Sequence, residues 1–289
     1  TSSYLLFIHP ATWIRMTSGN DNISNTILNK QLMYLRFYNI REARDLFQRQ
    51  SGEIPLTYYL LKNSVTKQNT LIYDPCFNKF ISFNIYKNGF IPTEAIKLMG
   101  KLKNLTLKYG SIRTYYKNII PNKQHTSKTK KGEYIFPLIS VKNREIEIEY
   151  NKKNYNKTNE KKLVFTNASM IYPVYDTTGI LYSNGSDKGY LTYNNNVKKL
   201  KQIQNYLYTS LIFYIITITK TRQNFFHHKM FDLIPDITNM TDSLNITDQM
   251  LTRLFKLTKN DLKCIEKYKK EGEGRLTKKE INKLKNFKH

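Results

Sequence analysis

Tyr4-Leu5-Leu6-Phe7-Ile8-His9-Pro10-Ala11-Thr12-Trp13-Ile14 opens with five consecutive apolar residues and a stop. A continuous apolar run this short reads as a strand buried on both faces, the pattern of a parallel sheet. His9-Pro10 ends it, since proline has no N–H to give a ladder. Further along, Ser24 to Leu35 sets Ile27, Leu28, Gln31, Leu32 and Leu35 at helical spacing, with Ser24 as its cap. Leu35 to Ile40 reads as the next strand. Leu56-Thr57-Tyr58-Tyr59-Leu60-Leu61 is a β-rich run, and Thr70 to Tyr73 a shorter one. Strand, helix, strand, strand in this order predicts the second half of a mostly parallel α/β sheet.

The chain changes character after Asp74-Pro75. From there to residue 160 it is basic, tyrosine-rich and turn-rich, with a polar loop from His125 to Lys131. Arg144-Glu145-Ile146-Glu147-Ile148-Glu149 alternates and predicts a half-exposed strand. Leu163-Val164-Phe165 predicts another. Lys198 to Ile218 reads as one long helix, and Met250 to Lys270 and Lys278 to Lys288 as terminal helices.

The 289 residues suffice for one large domain or two medium ones. Aromatic content of 13% excludes a disordered chain. The formal net charge is +25, from 47 Lys and Arg against 22 Asp and Glu, which implies a polyanionic partner. Nucleic acid comes first and an anionic membrane second, while AT-rich coding explains part of the lysine excess. The longest apolar stretch, Leu207 to Ile218, is too short and too polar to span a bilayer. Cys76 and Cys264 lie far apart without metal-ligand spacing, so a reduced compartment and no disulfide framework are expected.

The segment Leu5 to Ile14 resembles a strand and turn of the TaqI-like adenine-specific DNA methyltransferases, in which an apolar strand ends in a Pro-Ala-Thr-Trp type turn. Arg44-Asp45-Leu46-Phe47-Gln48-Arg49-Gln50 followed by Ile54 to Lys62 is similar to the family's later motif: an aromatic at a strand end, a short loop, then a strand returning antiparallel. Tyr172-Pro173-Val174-Tyr175-Asp176-x-x-Gly179 is similar to a segment in target-recognition regions of the Eco-type fused restriction-modification enzymes. So is Lys220 to Phe225, with Lys229-Met230-Phe231-Asp232-Leu233-Ile234-Pro235-Asp236-Ile237.

The resemblance implies an α/β fold: a partial Rossmann-like methyltransferase sheet of later strands, then an α+β target-recognition domain. Its divisions fall at residues 1–75 for the catalytic part, 76–240 for DNA recognition and 241–289 for a helical segment. It implies S-adenosyl-L-methionine as cofactor, double-stranded DNA as partner, and an N-terminal segment or subunit carrying the cofactor-binding half. It also implies a cytoplasmic setting, in a bacterial host or a viral replication compartment, and the AT-rich composition fits a large DNA virus of eukaryotes. Two family elements are absent from this sequence, the Asp-x-Phe-x-Gly-x-Gly loop and Asn-Pro-Pro-Tyr/Phe. Tyr73-Asp74-Pro75-Cys76 lacks the second proline and the aromatic and is not read as catalytic.

Methylating an adenine amino group requires the base to leave the helix and an aromatic to hold it. Phe47 takes that role by resemblance, and a core phenylalanine is the equal alternative. Arg44 and Arg49 touch neighbouring phosphates, or form a solvated basic face. Lys220, Arg222, Asn224, His227, His228 and Lys229, interleaved with Phe225 and Phe226, suit DNA contact. His9 and Trp13 sit where α/β folds place ligands, with Trp13 read as core packing and His9 given no acid-base role. Tyr172 and Tyr175 are weaker DNA candidates. Two other readings stay open: a DNA-binding module without catalysis, and a metal-dependent nuclease using Glu147 and Glu149 beside Lys152 and Lys153.

Overall fold

The opening run forms strand β1 (Tyr4–Pro10), which passes through a 3-10 turn at Ala11–Arg15 and on to helix α1 (Asp21–Leu28). The computed structural model describes residues 3–15, 21–47, 54–116, 126–142, 145–153, 160–166, 173–183, 188–191, 195–219, 228–271 and 277–286. The chain continues through β2 (Gln31–Tyr38), α2 (Ile40–Leu46), β3 (Leu56–Lys62), β4 (Thr70–Asp74), β5 (Lys79–Phe83), α3 (Ile85–Asn88) and α4 (Ile96–Tyr109). It is a mixed α/β protein whose residues cluster into two units. One comprises Thr1–Asn104 with Ile218–Gln223, and the other Leu105–Thr217 with Asn224–His289.

The first unit is built on a five-stranded sheet in the order β1-β3-β2-β4-β5. β3 is antiparallel to both β1 and β2, so those two run in the same direction with β3 between them. β4 is parallel to β2 and β5 antiparallel to β4. Three of the four neighbour pairs are therefore antiparallel, which corrects the expected mostly parallel sheet. The expected burial of β1 on both faces is also corrected. Among the described residues it is an edge strand, and Tyr4, Leu5, Leu6 and Ile8 are each at least 50% exposed. The local sequence carried the apolar run but not which neighbours would cover it.

The predicted helix from Ser24 to Leu35 ends at Leu28, and Gln31 begins β2. A bulge explains the misleading spacing. The β2–β3 register shifts between Leu32 and Tyr34, leaving Met33 as the extra residue. Leu32 and Leu35 thus lie three apart yet both reach the covered face, and both are fully buried. With Ile27 on α1 they mimic a helical stripe. That face packs on Trp13, Tyr59, Ile72, Ile85 and Ile96 as one core.

Asp74 closes β4. Its Oδ1 accepts from the amides of Cys76 at 3.0 Å and Ala95 at 3.1 Å, and its Oδ2 from Ile96 at 2.9 Å. The buried carboxylate therefore turns the chain after the strand and caps the start of α4, where Ala95 adopts a left-handed φ of 46°.

The second unit holds β6 (Tyr115–Tyr116), β7 (Thr126–Ser127), β8 (Phe136–Lys142), β9 (Glu145–Asn151), β10 (Lys162–Thr166), β11 (Val174–Asp176), β12 (Tyr182–Ser183) and β13 (Lys188–Leu191). They form two four-stranded sheets, β11-β10-β13-β6 and β12-β8-β9-β7. Ile139, Val164, Val174 and Leu181 make a buried cluster in this unit. Helices α5 (Val197–Leu207), α6 (Ser210–Thr219), α7 (Asp248–Leu254), α8 (Lys259–Glu271) and α9 (Lys278–Lys285) follow.

The single helix expected from Lys198 to Ile218 is two. Asp248 takes the Ser210 amide at 2.7 Å and its hydroxyl at 2.5 Å, which starts α6 afresh. The helix expected from Met250 is also broken, at Lys256 with φ 50°. It restarts on a reciprocal Thr258–Asp261 cap. Neither cysteine is a free thiol. This departs from the expected absence of disulfides. No helix among the described residues is long and apolar enough to cross a membrane.

Candidate nucleic-acid interface

β1, β2 and β4 share a direction, so Pro10, Tyr38 and Asp74 end at one edge of the sheet. Ligands of α/β folds sit outside such carboxyl ends. α2 starts there on a capping box. Asn39 Oδ1 accepts from the Glu42 amide at 3.0 Å, and Glu42 Oε2 accepts from the Asn39 amide at 2.9 Å. This Asn-x-x-Glu signal was legible in the sequence and unread. Arg44 lies half-buried in the last turn of α2. Phe47 is the C-terminal cap residue of α2, its amide bonded to the Ala43 carbonyl at 3.0 Å. It therefore ends a helix where the resemblance implied a strand, and its ring is 37% exposed. Arg49 lies outside the described residues.

Trp13 is a core residue. Its indole Nε1 donates to Thr57 Oγ1 at 2.9 Å, and its ring meets Tyr59 edge-on at 5.4 Å. His9 is half-buried, with Nδ1 at 2.9 Å from the Pro10 carbonyl oxygen.

Opposite the core, the sheet presents a face that sequence reading missed. Alternation along β2 sends Tyr34, Arg36 and Tyr38 to this side, joined by Tyr58 from β3, Tyr73 from β4 and Phe80 from β5. The Arg36 guanidinium carbon lies 4.6 Å from the Tyr38 ring centre and 4.3 Å from that of Tyr73. Tyr34 meets Tyr58 edge-on at 5.7 Å and Phe80 at 5.0 Å, and Tyr73 meets Phe80 at 5.3 Å. Burial pushes the Tyr34 phenol up, an effect the neighbouring Arg36 charge partly offsets. The signal available in the sequence was the alternating Tyr-x-Arg-x-Tyr at 34–38.

A groove of about 680 Å³ runs between β1, β3 and α1, lined chiefly by Tyr4, Leu5, Phe7, Ile23, Tyr59 and Leu61. It extends the apolar character of the open edge onto the core side of the sheet.

Lys220, Arg222, Asn224 and His227 lie outside the described residues, as does Tyr172. His228 and Lys229 head a 3-10 turn, His228–Leu233, whose Met230 and Phe231 are buried. Ile234 is buried after them, and Asp236 caps the turn at Ile237–Asn239 by accepting from the Thr238 amide at 2.9 Å. The apolar-Ile-Pro-Asp segment is thus a packed corner. Asp176 organises the other matched segment. Its Oδ1 accepts from the Gly179 amide and its Oδ2 from the Leu181 amide, both at 2.9 Å. Lys162 Nζ reaches Asp176 Oδ2 at 2.9 Å, with both side chains fully buried. Gly179 has φ 79°, which explains the glycine. Tyr175 beside it is half-buried, and burial raises its phenol.

Lys152 pairs with Glu133 at 2.7 Å, both exposed. No group of three or more His, Cys, Asp or Glu side chains among the described residues could hold a metal ion. An adenosyl cofactor needs a glycine-rich turn and an acidic group for the ribose. Asp74 and Glu42, the acids at the carboxyl edge, already serve backbone amides. These residues do not fit the cofactor.

No family model matches the chain, and no curated protein matches it.

Proposed function

We propose that the chain is the DNA-recognising C-terminal part of an adenine-specific DNA methyltransferase of the restriction-modification type. The observation that carries this reading is the open edge of the sheet. Among the described residues β1 has one backbone edge without a paired strand, and apolar side chains on both faces, Leu6 and Ile8 on one and Leu5 and Phe7 on the other. An apolar strand exposed in this way is an aggregation hazard unless another strand covers it. The reading supplies that cover: a polypeptide carrying the S-adenosyl-L-methionine half, in the same chain or as a subunit. The antiparallel return of β3 beside β1 is what the family's later motif implies. The net charge of +25 supports duplex DNA as the partner.

In this reading Phe47 stacks on the extruded adenine, and Arg44 and Arg49 contact the phosphates around it. Lys220, Arg222, Asn224, His227, His228 and Lys229 read or position the duplex. The chain by itself binds DNA and transfers no methyl group, because the donor and the acceptors that orient the adenine amino group come from the other half. Tritium transfer from S-adenosyl-L-methionine to duplex DNA tests this. The chain alone should be inactive, and the chain joined to a cofactor-binding half should label adenine. Transfer by the isolated chain, or none by the assembly, contradicts the reading.

A further inference from the structure

We infer that the uncovered face of the first sheet is a platform for a single-stranded nucleic acid, with Arg36 as the phosphate contact and the surrounding rings as stacking partners for bases. Arg36 is held between Tyr38 and Tyr73, which fixes the plane of its guanidinium. Its Nε is buried with no hydrogen-bond partner among the described residues. A guanidinium fixed in this way keeps donors for an anion and loses little rotamer freedom on binding. Phe80 at 46% exposure, with Tyr34, Tyr58 and Tyr73 half-buried, offers π-faces to solvent along four neighbouring strands.

Charge complementarity selects the occupant. The five strands contain one acid, Asp74, whose carboxylate is spent on amides beneath the opposite face. The open face carries Arg36 and, on β3, Lys62, which lies above the Tyr4 ring. Cations interleaved with aromatics and no competing carboxylate suit a polyanion with stackable bases. Duplex DNA keeps its bases stacked inside and cannot use the rings. A single strand, or a strand displaced from the duplex, can. The inference does not rest on the methyltransferase reading, since it needs neither the cofactor half nor the target-recognition residues.

Fluorescence anisotropy with a labelled oligothymidine of about 12 nucleotides, a length covering a typical single-strand site, tests it in the full chain. Phe80→Ala and Arg36→Gln should each weaken binding at least about fivefold, while Phe80→Tyr should retain it. Phe80 sits exposed on an edge strand, so its variant also guards against a folding artefact. An oligonucleotide carrying 5-iodouracil should crosslink on irradiation to the rings at 34, 38, 58, 73 or 80. Both variants binding within about twofold of the wild type would overturn the proposal. So would crosslinks confined to other residues, or capture of a protein on this face in place of the oligonucleotide. None of these outcomes touches methyl transfer, so the two readings fail separately.

Discussion

Trp13 donates its indole N–H to the Thr57 hydroxyl at 2.9 Å, and Thr57 donates in turn to the His9 carbonyl at 3.0 Å. The turn after β1 is thereby tied to the strand that pairs with β1. Thr57 is fully buried, so Thr57→Val leaves a buried indole N–H without its partner. That should destabilise the chain by about 2 kcal/mol in urea unfolding. A loss under about 0.5 kcal/mol would mean that water replaces the hydroxyl.

The Lys162–Asp176 pair ties β10 to β11 and to the turn at Gly179, whose carbonyl accepts from Lys162 at 2.6 Å. Removing one partner strands a buried charge. Asp176→Asn should cost about 3–5 kcal/mol, and Lys162→Met with Asp176→Asn together should cost less than Asp176→Asn alone, since the amide oxygen keeps an acceptor for the turn and no charge is left buried. Thermal melts of both variants check this, and a double variant that is the less stable of the two would contradict it.

Tyr206 is fully buried, and its hydroxyl has no partner among the described residues. Burial, with a smaller contribution from Asp236, holds its phenol well above the ordinary 10.0. The unfolded chain releases this proton near 10.0 while the folded chain keeps it. The group's contribution is therefore complete below that pH and falls as pH rises through the window above it. Tyr206→Phe should be neutral or stabilising at neutral pH and should lessen the alkaline loss. Unfolding curves at pH about 7 and about 11 test both signs, and a destabilised Phe variant would show an unseen partner.

In the proposed methyltransferase reading, Phe47 stacks on the extruded adenine. Phe47→Ala should lower the fluorescence gain of 2-aminopurine at the target position, in line with about 1–3 kcal/mol of lost stacking, while changing duplex affinity less. Equal losses in both would remove the assigned role.

Legibility in the sequence followed the range of the interactions. β3 was read to within one residue of Leu56–Lys62, because alternation and β-branched or aromatic content are local. α4 was missed. Its cap is not in its own segment but is Asp74, at the end of β4, and Gly100 within it is a poor helix former. That glycine lies so close to Phe83 that a Cβ would meet the ring at 3.3 Å. The Met33 bulge shifted an inward period of two to three, which is why Leu32 and Leu35 read as helical. Edge position is decided by pairing between distant segments, so β1 looked buried. Arg36 and its rings come together only once β2, β3, β4 and β5 are side by side.

The open edge also makes a prediction for the chain alone. Leu6→Lys with Ile8→Lys removes apolar surface without touching the covered core. It should turn a concentration-dependent associating species into a monomer by light scattering. A wild type that stays monomeric at all concentrations would show that the edge is already protected.

Hydrogen–deuterium exchange over Tyr4 to Ile8 tests the central claim most directly. Amides there that do not face β3 should exchange fast in the isolated chain. They should become protected when a polypeptide carrying the cofactor-binding half is joined to it or added to it, in step with the appearance of methyl transfer. Amides already protected in the isolated monomer, or left unprotected in a catalytically active assembly, would contradict the assignment of β1 as the junction.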